Sequence, residues 1–278
     1  MPNSNLKKVL FVLHFPPPVH GSSVMGKYVK SSEVINTAFS CRYINLGTSL
    51  TVDEIGRRPI SKILRYFRII GRVVKEIIVD KPHLVYFAIS AKGVPFYKDA
   101  FVVMLIKLFC IPCVFHFHNK GVIQRQDLFI DNIIYKRVFS RSFAIVLSDL
   151  LSYDVAKYLK PKQIFICHNG IPALKDFSER NVNLQEDNEL CRILFLSNLI
   201  ESKGVFVLLE ACSILKSLGV SFQCNFVGGE GDVSSKDLRH KVEELRLEEC
   251  VNVKGPKYRA EKTEELLSAD IFVFPSYN

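Results

Sequence analysis

Four short stretches of the chain set residues able to do chemistry beside residues able to make tight turns. In VFHFHN (114–119), His116 and His118 stand two apart, so on a strand both point to the same face. At a strand tip they would meet a ligand; deeper in the sheet they would be core histidines. No carboxylate or cysteine at useful spacing completes a ligand set around them, which argues against a metal. In HFPPPVHGSS (14–23), three prolines stiffen the chain and Gly21 lets the backbone approach a ligand closely. Ser22 and Ser23 then open a helix whose N–H groups suit an anion such as phosphate; a plain structural turn would read the same way. In SNLIESKG (197–204), Lys203 and Gly204 stand at a helix start, where a cation opposes the helix dipole unless an anion is bound. Sites that break a local rule are often functional, so diphosphate binding is one reading and a lysine extended into solvent the other. In VGGEGD (227–232), Gly228 and its neighbours resemble a phosphate-binding turn, but the G-x-G-x-x-G spacing is not met, which disfavours NAD.

The elements around these stretches alternate. Strand-like runs at 9–14, 41–46, 84–89, 113–118, 143–147 and 163–167 are separated by helical patterns at about 20–37, 58–80, 96–110, 127–139 and 149–160. Many of the strands are almost uniformly apolar, as expected when helices cover both faces of a parallel sheet. A polar stretch at 173–190 reads as a linker. The alternation then restarts, with strands at 193–197, 222–227, 251–254 and 271–274 and helices at 205–218, 235–247 and 260–267. The marked stretches fall at or just beyond the carboxyl ends of strands, where open α/β sheets bind ligands.

Charge is unevenly spread. Residues 1–180 hold 26 lysines and arginines against 12 acidic residues, while 181–278 hold 11 against 16. The basic half points to an anionic partner: nucleic acid, a phosphate-bearing substrate or an acidic membrane surface. Nucleic acid is disfavoured, because no interleaved aromatic–basic strand and no recognition-helix pattern is present. Cys110 and Cys113 form the one C-x-x-C among eight scattered cysteines, inside an apolar run and without a second pair. That spacing fits a reduced, cytoplasmic protein better than a zinc site. The N-terminal apolar stretch runs into Pro16, Pro17 and Pro18 and reads as a strand, not a signal peptide. Lys107 and Pro112 interrupt the apolar run 100–117, so no membrane span is expected.

Residues 57–75 separate on a helical wheel. Ile60, Ile63, Leu64, Phe67, Ile70 and Val74 share one side; Arg58, Lys62, Arg65, Arg68, Arg72 and Lys75 share the other. The apolar side is expected to pack on the sheet, leaving the cations to meet solvent or the inner face of an anionic membrane.

PPPVHG (16–21), the H-x-H pair, HNGIP (168–172), SNL-x3-KG, FVGGEGD (226–232) and ADIFVFPS (269–276) occur in the order and spacing of retaining glycosyltransferases of family 4. The set resembles that family over nearly the whole chain. The resemblance implies an α/β protein of GT-B type, with two Rossmann-like domains facing across a cleft. Residues 1–172 would form the acceptor-side domain, 173–190 the linker, and 191–278 an incomplete donor-nucleotide domain. It implies transfer of a sugar from a nucleotide sugar to a glycan or lipid-linked acceptor with retention of configuration, and no cofactor or metal. Gly21 would lie against the donor phosphates or sugar, and His118, with His116, beside the transferred sugar. Lys203 would neutralise the diphosphate as leaving-group charge develops. The turn at Gly255, Pro256 and Lys257 would lie near the nucleobase, with Asn198, Gly228 and Ser276 completing the donor side. Front-face attack assisted by the leaving phosphate needs no protein nucleophile, in keeping with the lack of an evident carboxylate dyad.

Two departures stand out. The family commonly has Gly-Arg where this chain has Ser197-Asn198, which removes one phosphate-binding cation. Its P-S motif, here Pro275-Ser276, is followed by a Glu, seven residues and a second Glu, whereas this sequence stops at Asn278. The expectation is a truncated transferase with little or no activity. The alternative is a non-catalytic, degenerate transferase that captures a sugar nucleotide or glycan; a sugar-nucleotide epimerase lacks evident acidic residues.

Overall fold

A computed structural model of the chain describes residues 6–17, 19–48, 60–170 and 190–277. The chain divides into two compact units, 1–174 and 175–278. Each is built on its own parallel sheet.

In the first unit the elements run β1 (Lys8–Leu13), α1 (Gly21–Ser31), α2 (Glu33–Ala38), β2 (Ser40–Asn45), α3 (Ile60–Val79), β3 (Leu84–Ile89), α4 (Gly93–Leu108), β4 (Cys113–Phe117), α5 (Phe129–Phe139), β5 (Ser142–Val146) and β6 (Ile164–Ile166). The strand order is β2-β1-β3-β4-β5-β6, with every pairing parallel. The apolar runs are explained by two packed layers. On β1, Leu10 and Val12 join the core under α3, α4 and α5, while Val9, Phe11 and Leu13 join a second cluster with Val29 and Ile35 of α1 and α2. The sheet grows in opposite directions from β1 and β3, so the loops after these strands flank a topological switch point, the ligand-binding position of such sheets.

The second unit runs β7 (Cys191–Leu196), α6 (Val205–Ser217), β8 (Phe222–Val227), α7 (Ser235–Glu244), β9 (Val251–Gly255), α8 (Arg259–Leu267) and β10 (Ile271–Phe272). Its strand order is β10-β7-β8-β9, again parallel throughout. Phe195, Phe226, Leu209 and Leu238 are fully buried in its separate core.

Three expectations are corrected. The helix expected over 20–37 breaks at Ser32, which leaves helical geometry (φ −70°, ψ 116°) and caps α2 by accepting the Ile35 amide at 3.3 Å. The stretch 149–160 forms a 3-10 turn over Asp149–Asp154, not an α-helix. Asp154 is drawn inward there, its carboxylate accepting the amides of Gly121, Val122 and Ile123 at 2.9–3.1 Å. That carboxylate gives the loop after β4 its backbone partners. The third correction concerns α3: of its expected packing side Ile70 does pack against the core and Val74 is half-buried, but the residues of its first turns face outward. Ile60 and Leu64 are 77% and 63% exposed, while Ile69, Val73 and Ile77 are nearly fully buried. The helix carries two apolar stripes, and the one formed by Ile69, Val73 and Ile77 joins the core. Residues 57–59, the linker before Leu190, and Ile171 and Pro172 of HNGIP lie outside the described residues.

Candidate functional site

At the carboxyl edge of the first sheet, α1 packs so closely on the end of β1 that a Cβ on Gly26 would overlap the carbonyl oxygen of His14. The cap of α1 is His20 rather than a serine. Its Nδ1 accepts the Ser23 amide at 3.4 Å, and the Ser22 hydroxyl lies 3.1 Å away, placed to donate to the same nitrogen. The His20 amide in turn donates to Ser23 Oγ at 3.0 Å. Gly21, the first helical residue, is exposed with open space around its missing side chain. Its backbone is therefore approachable.

Four histidines gather near this edge. His116 pairs with Ala88 of β3 and Ile145 of β5 and is 6% exposed. Its Nδ1 is hydrogen-bonded with the Tyr86 hydroxyl, and its buried Nε2 has no partner among the described residues. Half-buried His118 lies just beyond β4, packed against His116 with ring centroids 4.2 Å apart and the planes tilted by 38°. The His14 and His20 rings meet edge-on at 5.7 Å. Burial holds His116 down at about 3, helped by His118, and His14 at about 4, helped by His20, His118 and Lys98. Burial also lowers His20, and lowers His118 with a contribution from His20. Neutral imidazoles can donate to or accept from sugar hydroxyls without adding charge. Of the H-x-H pair, His118 is the more exposed, at the strand tip, and His116 sits behind it. Among the described residues no group of three or more His, Cys, Asp or Glu could hold a metal ion.

Beside the switch point lies a pocket of about 190 Å³ bordered by His14, His20, Gly47, Tyr66, Ser90 and Asp99. Asp99 accepts the Ser90 amide at 2.9 Å, and burial raises its carboxyl to about 6, against the opposing pull of that hydrogen bond and of Lys98. Sequence reasoning missed Asp99. The only signal was a single acid on a mostly apolar helix whose other charges are Lys98 and Lys107.

In the second unit, the loops after β7 and β8 touch. A Cβ on Gly228 would overlap the Ser197 carbonyl, so glycine is what permits the contact. The Gly228 amide donates to the Gly255 carbonyl at 3.0 Å and the Leu199 amide to Gly229 at 2.8 Å. The acids of VGGEGD serve the backbone: Asp232 accepts the Glu201 amide, and Glu230 accepts the Ser235 amide at the start of α7. Lys203 closes a 3-10 turn (Glu201–Lys203), half-buried, with its ammonium 5.3 Å from the centre of the Phe274 ring. Gly204 follows in the left-handed region (φ 80°) as the cap of α6, and a Cβ there would overlap the Pro275 carbonyl. Ser276 donates its hydroxyl to the Ser202 carbonyl at 3.3 Å, and the Tyr277 amide reaches the same oxygen at 3.2 Å.

The chain after β10 is thereby fastened over the 197–204 loop. Asn198, Lys203, Gly228 and Ser276 come together in adjoining loops at one sheet edge. Lys257 sits in the loop after β9 and is paired with Glu261 at 3.2 Å. A hollow of about 530 Å³ in this unit is an open groove between α7 and β9, bordered by Arg239, Glu243, Asn252 and Lys254. It is away from these loops. A half-buried cation, a helix N-terminus and backbone packed without Cβ atoms meet at these strand tips, an arrangement that suits an anion.

Residues 176–278 match the family model described as glycosyl transferases group 1. Over 163 residues the chain is 31% identical to the amylovoran biosynthesis glycosyltransferase AmsK of Erwinia amylovora, an alignment covering 58% of this chain and 39% of that protein. The chain thus spans about two-fifths of the length of this relative. Among solved structures, a glycosyltransferase from Rickettsia africae ESF-5 matches with a TM-score of 0.65 at 15% identity, covering 98% of this chain and 73% of that one. Anabaena Alr3699/HepE in complex with UDP and glucose matches with 0.60 at 15% identity, covering 98% and 74%. At such identities the structural matches show the fold, which is the α/β, parallel-sheet fold of GT-B glycosyltransferases.

Proposed function

We propose that this chain handles a nucleoside-diphosphate sugar as a retaining glycosyltransferase of polysaccharide or lipid-linked glycan assembly, with the donor diphosphate held by the loops after β7, β8 and β10. The observation that carries this reading is the meeting of Lys203, Gly204 and Ser276 at one strand edge, in the part of the chain that matches the transferase family model. When the bond between the sugar and the β-phosphate breaks, negative charge grows on the departing diphosphate. A cation and a helix N-terminus already in position offset that charge most in the transition state. The acceptor hydroxyl attacks from the same face and passes its proton to the leaving phosphate oxygen, so no protein nucleophile is needed. AmsK, by its name, serves amylovoran biosynthesis, and the HepE structure holds UDP and glucose, which supports a polymer product and makes UDP the first ligand to try. All eight cysteines are free thiols, in keeping with a reducing compartment.

One observation favours a second reading, capture without turnover: Asn198 stands where the family carries an arginine. Calorimetric titration with UDP, beside an assay for UDP release from UDP-glucose, separates the two. We expect UDP to bind, Lys203→Met to weaken it roughly tenfold or more, as loss of a charged hydrogen bond does, and Asn198→Arg to strengthen it. Unchanged binding by Lys203→Met would remove the donor assignment. Binding with no UDP release, even after Asn198→Arg, would select the capture reading.

A further inference from the structure

We infer that the outer surface of the α3–α4 layer docks on an anionic lipid bilayer. Along α3 the side chains form three lengthwise stripes. Ile69, Val73 and Ile77 hold the helix on the core. Roughly opposite lies an apolar stripe open to solvent, in which Ile63, Leu64, Phe67 and Ile78 are 54–67% exposed. Along one edge of that stripe run the exposed cations Arg68, Arg72 and Lys75.

The neighbouring helix repeats the pattern. α4 is tied to α3 by the Tyr66 hydroxyl, which donates to the Lys98 carbonyl at 2.8 Å. Its inner side buries Phe96, Ala100 and Val103, and its outer side exposes Val94, Tyr97, Phe101, Met104 and Leu108. These recur at helical spacing, so two adjacent helices turn apolar stripes outward. Scattered surface hydrophobics need no explanation, but a continuous patch does.

Charge selects the occupant. Neither helix exposes an acid: Glu76 of α3 is half-buried against Arg42 at 2.7 Å, and Asp99 of α4 is buried. A second copy of the chain placed symmetrically on this surface would set the cation row against itself. An anionic bilayer instead offers phosphates to Arg68 and Arg72 and an acyl boundary to Leu64 and Phe67. No helix among the described residues is long and apolar enough to cross a membrane, so the layer would lie in the interface plane.

The test is flotation of the full chain with phosphatidylcholine vesicles, with and without phosphatidylglycerol. Wild type should float with the phosphatidylglycerol vesicles only, and less as salt rises. Replacing Arg68 and Arg72 by Gln should weaken partition about fivefold each, the fold-change corresponding to ~1 kcal/mol per basic residue. The double change Leu64→Ser and Phe67→Ser should abolish it while thermal unfolding stays as in wild type; Phe101→Ser on α4 reads the same surface should that pair disturb folding. Equal partition to both vesicle types, unchanged flotation of the variants, or a wild-type dimer that Phe67→Ser turns into a monomer would overturn the inference. UDP titration of these variants should match wild type, so this inference and the donor-site reading fail separately.

Discussion

The histidines and the buried acid of the first unit impose opposite pH dependences on folding. His116 titrates at about 3 and His14 at about 4 when folded, against an ordinary 6.5. Between these values the unfolded chain binds protons that the folded chain refuses. Their contribution is complete above pH 6.5 and is lost as pH falls through the window down to about 4. Asp99, raised from 3.8 to about 6, keeps a proton in the folded state that the unfolded chain has released, so its contribution falls as pH rises through that range. Each group contributes a slope of at most ~1.4 kcal/mol per pH unit, and the lowered histidines outnumber the one raised carboxyl. The melting temperature should therefore fall between pH 7 and pH 5. His116→Phe should be less stable at pH 7, because Tyr86 loses its partner, but should show a shallower decline. A decline as steep as wild type would mean that His116 is not shielded in the fold. None of this was legible beforehand: the spacing of His116 and His118 showed a shared face, but not which ring would be sealed between strands and which left at the tip.

At the scale of elements, glycines separate close packing from open backbone. Gly26 lies against the His14 carbonyl, whereas Gly21, five residues earlier on the same helix, has nothing within reach of an added methyl. Gly26→Ala should cost on the order of 1–3 kcal/mol, the usual penalty of overpacking. Gly21→Ala should be neutral or stabilise by up to ~1 kcal/mol, since alanine is the better helix former. Paired denaturant titrations check both, and equal effects would show that α1 does not seat against β1 as described. The sequence marked this loop as chemically interesting without saying which glycine held the packing. Element boundaries followed the apolar runs closely, as in β3 and β8, because strand formation there answers to a local pattern. α3 did not yield to the same reasoning. Two apolar stripes compete on one helix, and periodicity gives their positions without ranking them.

At the scale of the whole molecule, each unit has its own core and sheet, so ligand effects can be located by unit. Hydrogen exchange with and without UDP should show protection concentrated at 197–204 and 228–231. Protection confined to the first unit would place the nucleotide elsewhere and leave Lys203 without its assigned role.

The alternation of apolar runs with amphipathic stretches was enough to determine two parallel α/β layers and to put the marked loops at strand ends, because both depend on neighbours along the chain. The partners across those ends were a matter for the tertiary structure. Lys203 meets Phe274, and Gly204 meets Pro275, only because β10 inserts beside β7, and Asp99 becomes a pocket wall only because α4 packs beside α3. Strand order and helix rotation are settled by competition among whole surfaces for burial, and that competition leaves no periodic trace in the residues that win it.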